Sequence, residues 1–170
     1  MKIVYSFNKT GYEADCWTRE IKAASDGRFE FIPFNHGAHV NPDLYPDAWS
    51  LNRLYQARHT GLLKLYAELD TVIKRTGAGA LIVVNCPPYH PEFLRTLGVY
   101  RVLFSQDDPD ATYKRNIPYL HAYQHVFFCD PVHSPDLDME AKMRACGMVN
   151  ADWVPISVMD YAFDPAQSET

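Results

Sequence analysis

Short apolar runs that hardly alternate with polar residues recur along this chain, and segments with a helical pattern separate them. Strands of a parallel sheet have this composition, because helices cover both faces of such a sheet. The sequence therefore predicts an α/β domain, with a Rossmann-like parallel sheet, helices on both faces and right-handed crossovers. The predicted strands lie at 2–7, 28–34, 80–85, 100–106 and 125–130, and a further apolar segment follows at 151–156.

The helices are predicted from apolar residues that recur every three or four positions. The longest one covers 49–75, with Arg58 inside its apolar stripe, and the glycines at 76–79 end it. Pro118 would break a longer helix, so we expect a turn at 111–116 and a short helix that begins near Pro118. The other helices are predicted at 12–25, near 91–97 and at 135–147.

Composition limits the class of protein. The 170 residues are 47 % hydrophobic and 14 % aromatic, which predicts one folded domain. The net charge of −5 argues against a nucleic-acid partner, since such proteins usually carry a basic face. The four cysteines show no CxxC spacing and are expected to be free thiols. No apolar run reaches the ~20 residues of a membrane span and no signal peptide is visible, so a cytoplasmic location is expected.

The loops after the strands hold the candidate site residues, because ligands of open α/β sheets bind outside the carboxyl ends of the strands. The first loop has only Gly11 where a dinucleotide site needs several glycines, which disfavours NAD and ATP. His36 and His39 share a loop with Asp43, but contact with an acceptor is favoured over a metal, and no cofactor is predicted. The predicted substrate-binding residues are Asn8, Lys9, Thr10, Gly11, His36, His39, Asn85, Tyr89, His90, Asp110, Tyr113, Asp130 and His133.

Three acids surround Pro109 directly after the strand at 100–106. Asp110 is equally well placed to cap the following turn. Asp107 and Asp108 stand at the tip of the strand, where a carboxylate could accept a hydrogen bond from a sugar hydroxyl or act as a general base. Asp108-Pro109-Asp110 also matches the D-x-D motif, which binds a metal ion in one class of glycosyltransferases.

Three stretches of the chain resemble the amino-terminal half of the GT-B glycosyltransferases, and most of all the CgeB-like group of spore maturation proteins. They are "RVLFSQDDPDATY", "YLHAYQHVFFCDP" and "WVPISVMDYAFDP", and they cover about residues 100–165. The first 99 residues agree with that family in architecture only.

The resemblance implies one half of a GT-B architecture. Residues 1–155 would form the acceptor-side domain, and 156–170 would cross over toward an absent carboxyl-terminal donor domain. The implied function is transfer of a sugar from a nucleotide-sugar donor to an unknown acceptor, without a metal, by a chain that is inactive alone. Asp107 and Asp108 would be its catalytic residues. Two alternatives stay open: a metal-dependent GT-A-like transferase that uses Asp108 and Asp110, and a non-enzymatic Rossmann-like binding module.

Overall fold

A computed structural model describes residues 1–84, 87–105, 112–129, 138–148 and 150–154. Six parallel strands form one sheet in the order β2-β1-β3-β4-β5-β6. The strands are β1 (Lys2–Phe7), β2 (Glu30–Asn35), β3 (Ala80–Val84), β4 (Tyr100–Ser105), β5 (His125–Phe128) and β6 (Ala151–Trp153). The α-helices are α1 (Gly11–Ala23), α2 (Ala48–Gln56), α3 (Thr60–Thr76), α4 (Pro91–Thr96) and α5 (Met139–Ala145).

The predicted α/β fold is confirmed, and its strand order is the flavodoxin-like one. β1 lies between β2 and β3, which gives the order 2-1-3-4-5 with β6 added at the edge. The Rossmann order 3-2-1-4-5-6 places two strands beyond β1 instead of one. Paired residues of neighbouring strands form rows across the sheet. In one such row Tyr5 pairs with Ile82, and Ile82 pairs with Val102.

The two faces of the sheet are covered unequally by the described helices. One face, here called the main face, carries Val4, Leu81, Leu103 and Val126, and α2 to α5 pack on it. The opposite face, here called the α1 face, meets α1, whose Trp17 packs against β1. This division follows from right-handed crossovers, because the chain moves one way from β1 to β2 and the other way from β3 onward.

The single helix predicted at 49–75 is wrong, because the structure has two helices there. α2 ends at Gln56, Arg58 adopts a φ of 52°, and His59 caps α3 by accepting a hydrogen bond from the Leu62 N–H. Arg58 is therefore exposed at a break and does not lie along the core. The predicted glycine stop is confirmed, since Gly77 caps α3 with a φ of 66°.

The segment after β4 also differs from the prediction of a turn. Thr112–Asn116 forms a short π-helix, and a 3-10 helix over Ile117–Ala122 follows it, with Pro118 in its first turn as predicted. The Asn116 side chain donates to Ser105 Oγ over 2.8 Å, and this buried hydrogen bond connects the π-helix to the end of β4. No helix in the described part of the chain is long and apolar enough to cross a membrane.

Candidate ligand-binding site

The strand order places a topological switch point between β1 and β3. The chain leaves β1 toward β2 on one side and leaves β3 toward β4 on the other, so a crevice opens outside their carboxyl ends. The predicted residues Asn8 to Gly11 follow β1, and Tyr89 and His90 lie a few residues beyond β3.

The loop after β1 is held rigidly by Asn35 at the end of β2. The Asn35 Nδ2 donates to the Lys9 carbonyl over 2.7 Å, and its Oδ1 accepts from the N–H groups of Lys9 and Gly37. A Cβ at Gly37 would meet the Asn8 side chain, which would have to move to make room for it. Lys9 Nζ lies 3.3 Å from a carboxylate oxygen of Glu13 in the first turn of α1, which balances the lysine charge.

The loops after β2 and β3 meet in a buried polar network that sequence reasoning did not foresee. Ser6 Oγ lies 2.9 Å from His36 Nδ1 and 2.7 Å from the Tyr89 hydroxyl, and all three side chains are closed to solvent. Burial, with His39 adding to it, lowers the pKa of His36 to about 3, and burial raises the pKa of Tyr89 well above its usual value. The network is therefore neutral and fixes the loops to β1.

Two of the predicted residues make contacts outside this network. The His39 ring stacks on Phe34 with 5.5 Å between centroids, and its Nδ1 lies 3.4 Å from a Glu68 oxygen. Tyr113 is exposed, and the Lys142 ammonium lies 5.4 Å from its ring centroid. No cluster of three metal-binding side chains occurs within the described residues.

Several predicted residues fall outside the described residues, and so does the predicted crossover at 156–170. Their roles stay predictions. The residues concerned are Asn85, Asp107, Asp108, Asp110, Asp130 and His133.

A cleft of about 530 Å³ opens at the carboxyl edge of the sheet, between the start of α2 and the segment after β4. We call it the carboxyl-edge cleft. A separate, much smaller cavity shares Asp47 and Ala48 with it and is lined also by Tyr45, Leu51, Pro87 and Arg115. The lining residues of the cleft are Asp47, Ala48, Trp49, Asn52, Lys114, Pro118 and Tyr119.

Direct hydrogen bonds hold the two walls of the cleft together. The Tyr119 hydroxyl donates to the Ala48 carbonyl over 2.6 Å, and Arg115 Nε donates to the Pro46 carbonyl over 2.7 Å. Asp47 caps α2 by accepting from the Ser50 N–H over 2.6 Å, and this bond lowers the pKa of its carboxyl group. The cleft therefore has a preformed shape, as most small-molecule sites do.

Hydrogen bonds also connect the loop after β3 to Asn52, which lines the cleft. The Tyr66 hydroxyl donates to the Pro88 carbonyl over 2.9 Å and accepts from the His90 N–H over 2.8 Å. His90 caps α4, because its Nδ1 accepts from the Glu92 N–H, so the imidazole proton must sit on Nε2. That Nε2 donates to Asn52 Oδ1 over 3.2 Å. Asn52 is thereby oriented, and none of the described residues accepts from its Nδ2 group.

Trp49 is the most exposed large hydrophobic side chain of the described residues, with 69 % of its surface accessible at the mouth of the cleft. Sequence reasoning missed it, together with Asn52, Lys114 and Tyr119. One signal was present: Trp49 does not fit the apolar stripe that continues through Leu51, so a large ring had to face solvent.

Comparison with known proteins assigns this chain to no family. No family model matches the chain, and no curated protein does. One solved structure that aligns with it is FerB, a flavoenzyme NAD(P)H:(acceptor) oxidoreductase from Paracoccus denitrificans. The two share 12 % sequence identity at a TM-score of 0.34, over 83 % of this chain and 81 % of FerB.

The resemblance to CgeB-like GT-B glycosyltransferases is wrong, and so is the sugar-transfer function that it implied. No glycosyltransferase model matches the chain. The nucleotide-sugar donor itself stays a prediction. The physical reason is that the first two quoted stretches each contain most of a strand of the parallel sheet, β4 or β5, which any sheet of this kind has, and the third begins at the last residue of β6. The residues that would distinguish the family, 106–111 and 155–165, lie outside the described residues.

Proposed function

We propose that this protein binds a small molecule with a planar ring and an anionic group, such as a mononucleotide, in the carboxyl-edge cleft. The observation that carries this proposal is the exposed Trp49 ring at the mouth of a preformed cleft on the ligand-binding edge of the sheet. An exposed aromatic ring beside a preformed cleft offers a stacking surface to a flat ligand.

The aromatic residues of the cleft support binding of a planar ring. Trp49 and Tyr119 both line it, and the bond from Tyr119 to Ala48 fixes the tyrosine. Aromatic rings stack favourably on flat conjugated ligands and lose little side-chain entropy when they do so. An apolar lining with few polar groups is also typical of small-molecule sites.

The polar residues of the cleft support an anionic, hydrogen-bonding ligand. Lys114 lines the cleft and Arg115 lines the small cavity next to it, so two positive charges lie near the Asp47 carboxylate. The Asp47 carboxylate already accepts a backbone N–H in capping α2. Asn52, which His90 orients, can donate from Nδ2 to a carbonyl or ring nitrogen of the ligand.

Flavin mononucleotide (FMN) is the first probe to test, because it joins a flat conjugated ring to a phosphate, and flavodoxin, which has this strand order, binds it outside the carboxyl ends of its strands. The choice does not rest on the flavoenzyme FerB, since a TM-score of 0.34 carries no argument for this chain. Riboflavin has the same ring without the phosphate, and AMP has a phosphate with a smaller ring. The three probes therefore separate the contribution of the ring from that of the anion.

The test is a fluorescence or calorimetric titration of the full chain with FMN, riboflavin and AMP. We expect FMN to bind more tightly than riboflavin. Trp49→Ala should weaken FMN binding about tenfold through loss of stacking. Lys114→Gln should weaken FMN binding while leaving riboflavin binding unchanged.

Two matched variants provide controls. Trp153→Ala removes another exposed tryptophan, on β6 and away from the cleft, and Lys74→Gln removes an exposed lysine of α3. Neither should change FMN affinity. The proposal is refuted if none of the three probes binds, or if Trp49→Ala and Trp153→Ala have the same effect on FMN affinity.

A further inference from the structure

The side-chain amide of Asn52 has one fixed orientation, and a backbone N–H group sets it. The Glu92 N–H can only donate, so His90 Nδ1, which lies 3.3 Å from its nitrogen, must be the unprotonated nitrogen of the ring. The neutral imidazole then carries its proton on Nε2. The Asn52 atom that lies 3.2 Å from Nε2 must therefore be the acceptor oxygen Oδ1 and not the amide nitrogen.

Neighbouring aromatic rings hold the His90 imidazole in this position. It stacks on Tyr55 with 3.9 Å between ring centroids, and Tyr119 meets it edge-on at 5.7 Å. His90 is buried, whereas Asn52 is half-buried and lines the carboxyl-edge cleft. Oδ1 is thus engaged inside the protein, and the Nδ2 group is the part of the amide that Asn52 offers to a ligand in the cleft.

An asparagine that offers only its donor recognises a ring differently from one with a free amide. A free asparagine binds adenine through both atoms, since it accepts from the amino group and donates to N7. The acceptor of Asn52 is occupied by His90. A 6-oxopurine presents two acceptors at the same edge, O6 and N7, and both can receive hydrogens of Nδ2. An oxidised flavin likewise presents a ring carbonyl beside an unprotonated ring nitrogen.

The carboxylate of the cleft is also engaged. Asp47 accepts from the Ser50 N–H over 2.6 Å and from the Ser50 hydroxyl at the start of α2. An amino group on the ligand would have to compete with these two donors for the carboxylate.

We infer that Asn52 makes the carboxyl-edge cleft selective for rings that present a carbonyl acceptor, such as a 6-oxopurine nucleotide or a flavin, over rings that present an amino group there, such as AMP. This inference rests on the proposed function, because it names the class of ligand that the same cleft takes. His90 acts through Asn52 and is its positioning residue.

The experiment measures the ratio of two affinities. Inosine monophosphate (IMP) and AMP carry the same ribose phosphate, and IMP has a ring carbonyl where AMP has an amino group. In titrations of the full chain, IMP should bind about tenfold more tightly than AMP, because one ligand gains a hydrogen bond where the other places a donor against a donor. Equal affinities, or tighter binding of AMP, would overturn the inference.

Two variants locate the source of this selectivity. Asn52→Leu keeps the size of the side chain without its hydrogen bonds, so the IMP/AMP affinity ratio should fall to about one. His90→Phe keeps a ring on Tyr55 but frees the Asn52 amide to turn either atom toward the ligand, so the ratio should fall although Asn52 is present. General destabilisation would lower both affinities together and leave the ratio unchanged. A wild-type ratio in either variant would overturn the inference.

Asn150→Leu is the matched control. Asn150 is exposed, donates to the Gln124 carbonyl over 3.0 Å and does not line the cleft, so this variant should keep the wild-type ratio. A fall in the ratio as large as that in Asn52→Leu would count against the role of Asn52.

The same titrations separate this inference from the proposed function. Trp49→Ala removes a stacking surface and not the donor, so it should weaken binding of FMN, IMP and AMP by similar factors. If it does so while IMP and AMP bind equally in the wild type, the cleft is the binding site and the selectivity of Asn52 is wrong. If FMN binds but IMP does not, the inference is also overturned. If none of these ligands binds, the proposed function fails, and the inference fails with it.

Discussion

His90 and Asn52 are joined by a hydrogen bond of 3.2 Å that links the loop after β3 to α2. The same imidazole stacks on Tyr55, with 3.9 Å between centroids and 5° between planes, and caps α4 through Nδ1. Burial lowers its pKa, so the ring is neutral and keeps the one tautomer that satisfies both bonds. His90 is thus a positioning residue for the carboxyl-edge cleft.

The first prediction concerns His90→Phe, which keeps a ring on Tyr55 but removes both hydrogen bonds. Loss of the cap on α4 should lower the free energy of unfolding by about 1 kcal/mol. On the proposed function, Asn52 loses its orientation, and FMN affinity should fall several-fold. A titration with FMN and a denaturation curve measure the two effects.

A double-mutant cycle separates positioning from general destabilisation. If His90 acts through Asn52, then Asn52→Ala should weaken FMN binding in the wild type but add little in the His90→Phe background. Additive losses of affinity would show that the two residues act independently, which contradicts the positioning role.

The second prediction concerns the Tyr66 hydroxyl, which serves two buried backbone groups, the Pro88 carbonyl and the His90 N–H. Tyr66→Phe leaves both without a partner while the ring can still stack on Phe93. Each orphaned buried group costs about 1–3 kcal/mol, so the free energy of unfolding should fall by about 2–6 kcal/mol. Denaturant unfolding measures this, and Tyr100→Phe, at an exposed tyrosine, should stay within about 0.5 kcal/mol of wild type.

The third prediction is a loss of stability in mild acid that originates in His36. Its pKa lies near 6.5 when unfolded and is lowered to about 3 when folded, because burial disfavours the charged ring. Between pH 3 and pH 6.5 the His36 ring binds a proton in the unfolded chain but not in the folded chain. The stabilisation is therefore complete above pH 6.5 and is lost as pH falls toward 3.

Urea denaturation at several pH values between 6.5 and 5 measures this effect before most carboxylates titrate. The slope contributed by His36 can reach about 1.4 kcal/mol per pH unit. His36→Gln should show a shallower slope than wild type, whatever its absolute stability. Parallel slopes for the two proteins would mean that His36 is not the source.

The sheet could be predicted from the sequence because strand positions depend on local apolar runs. The apolar run at 80–85 predicts a buried strand, and the structure places β3 at Ala80–Val84. The break between α2 and α3 was not predictable in the same way, because the apolar stripe continues across it. Arg58 takes a positive φ there, which the pattern of apolar residues does not encode.

The cleft was harder to predict than the sheet. The rule about carboxyl ends predicts site residues in the loop after β3, whereas Trp49, Asn52 and Tyr119 lie in α2 and in the segment after β4. Only the packing of these elements, fixed by bonds such as that from Tyr119 to Ala48, brings them together. The sequence predicts His36 and His90 as substrate-binding residues; both are buried and hydrogen-bonded in the structure, and their role in binding stays a prediction.

The last prediction compares Gly77, which ends α3, with Gly98, which follows α4. Gly77 adopts a φ of 66° and Gly98 does not have a positive φ, and a Cβ at either position would meet no atom within 4 Å. Gly77→Ala therefore strains only the backbone and should lower the free energy of unfolding by about 1 kcal/mol. Gly98→Ala should be neutral or slightly stabilising, since it reduces the entropy of the unfolded chain. Urea denaturation of both variants decides the matter, and equal stabilities would contradict the left-handed cap at Gly77.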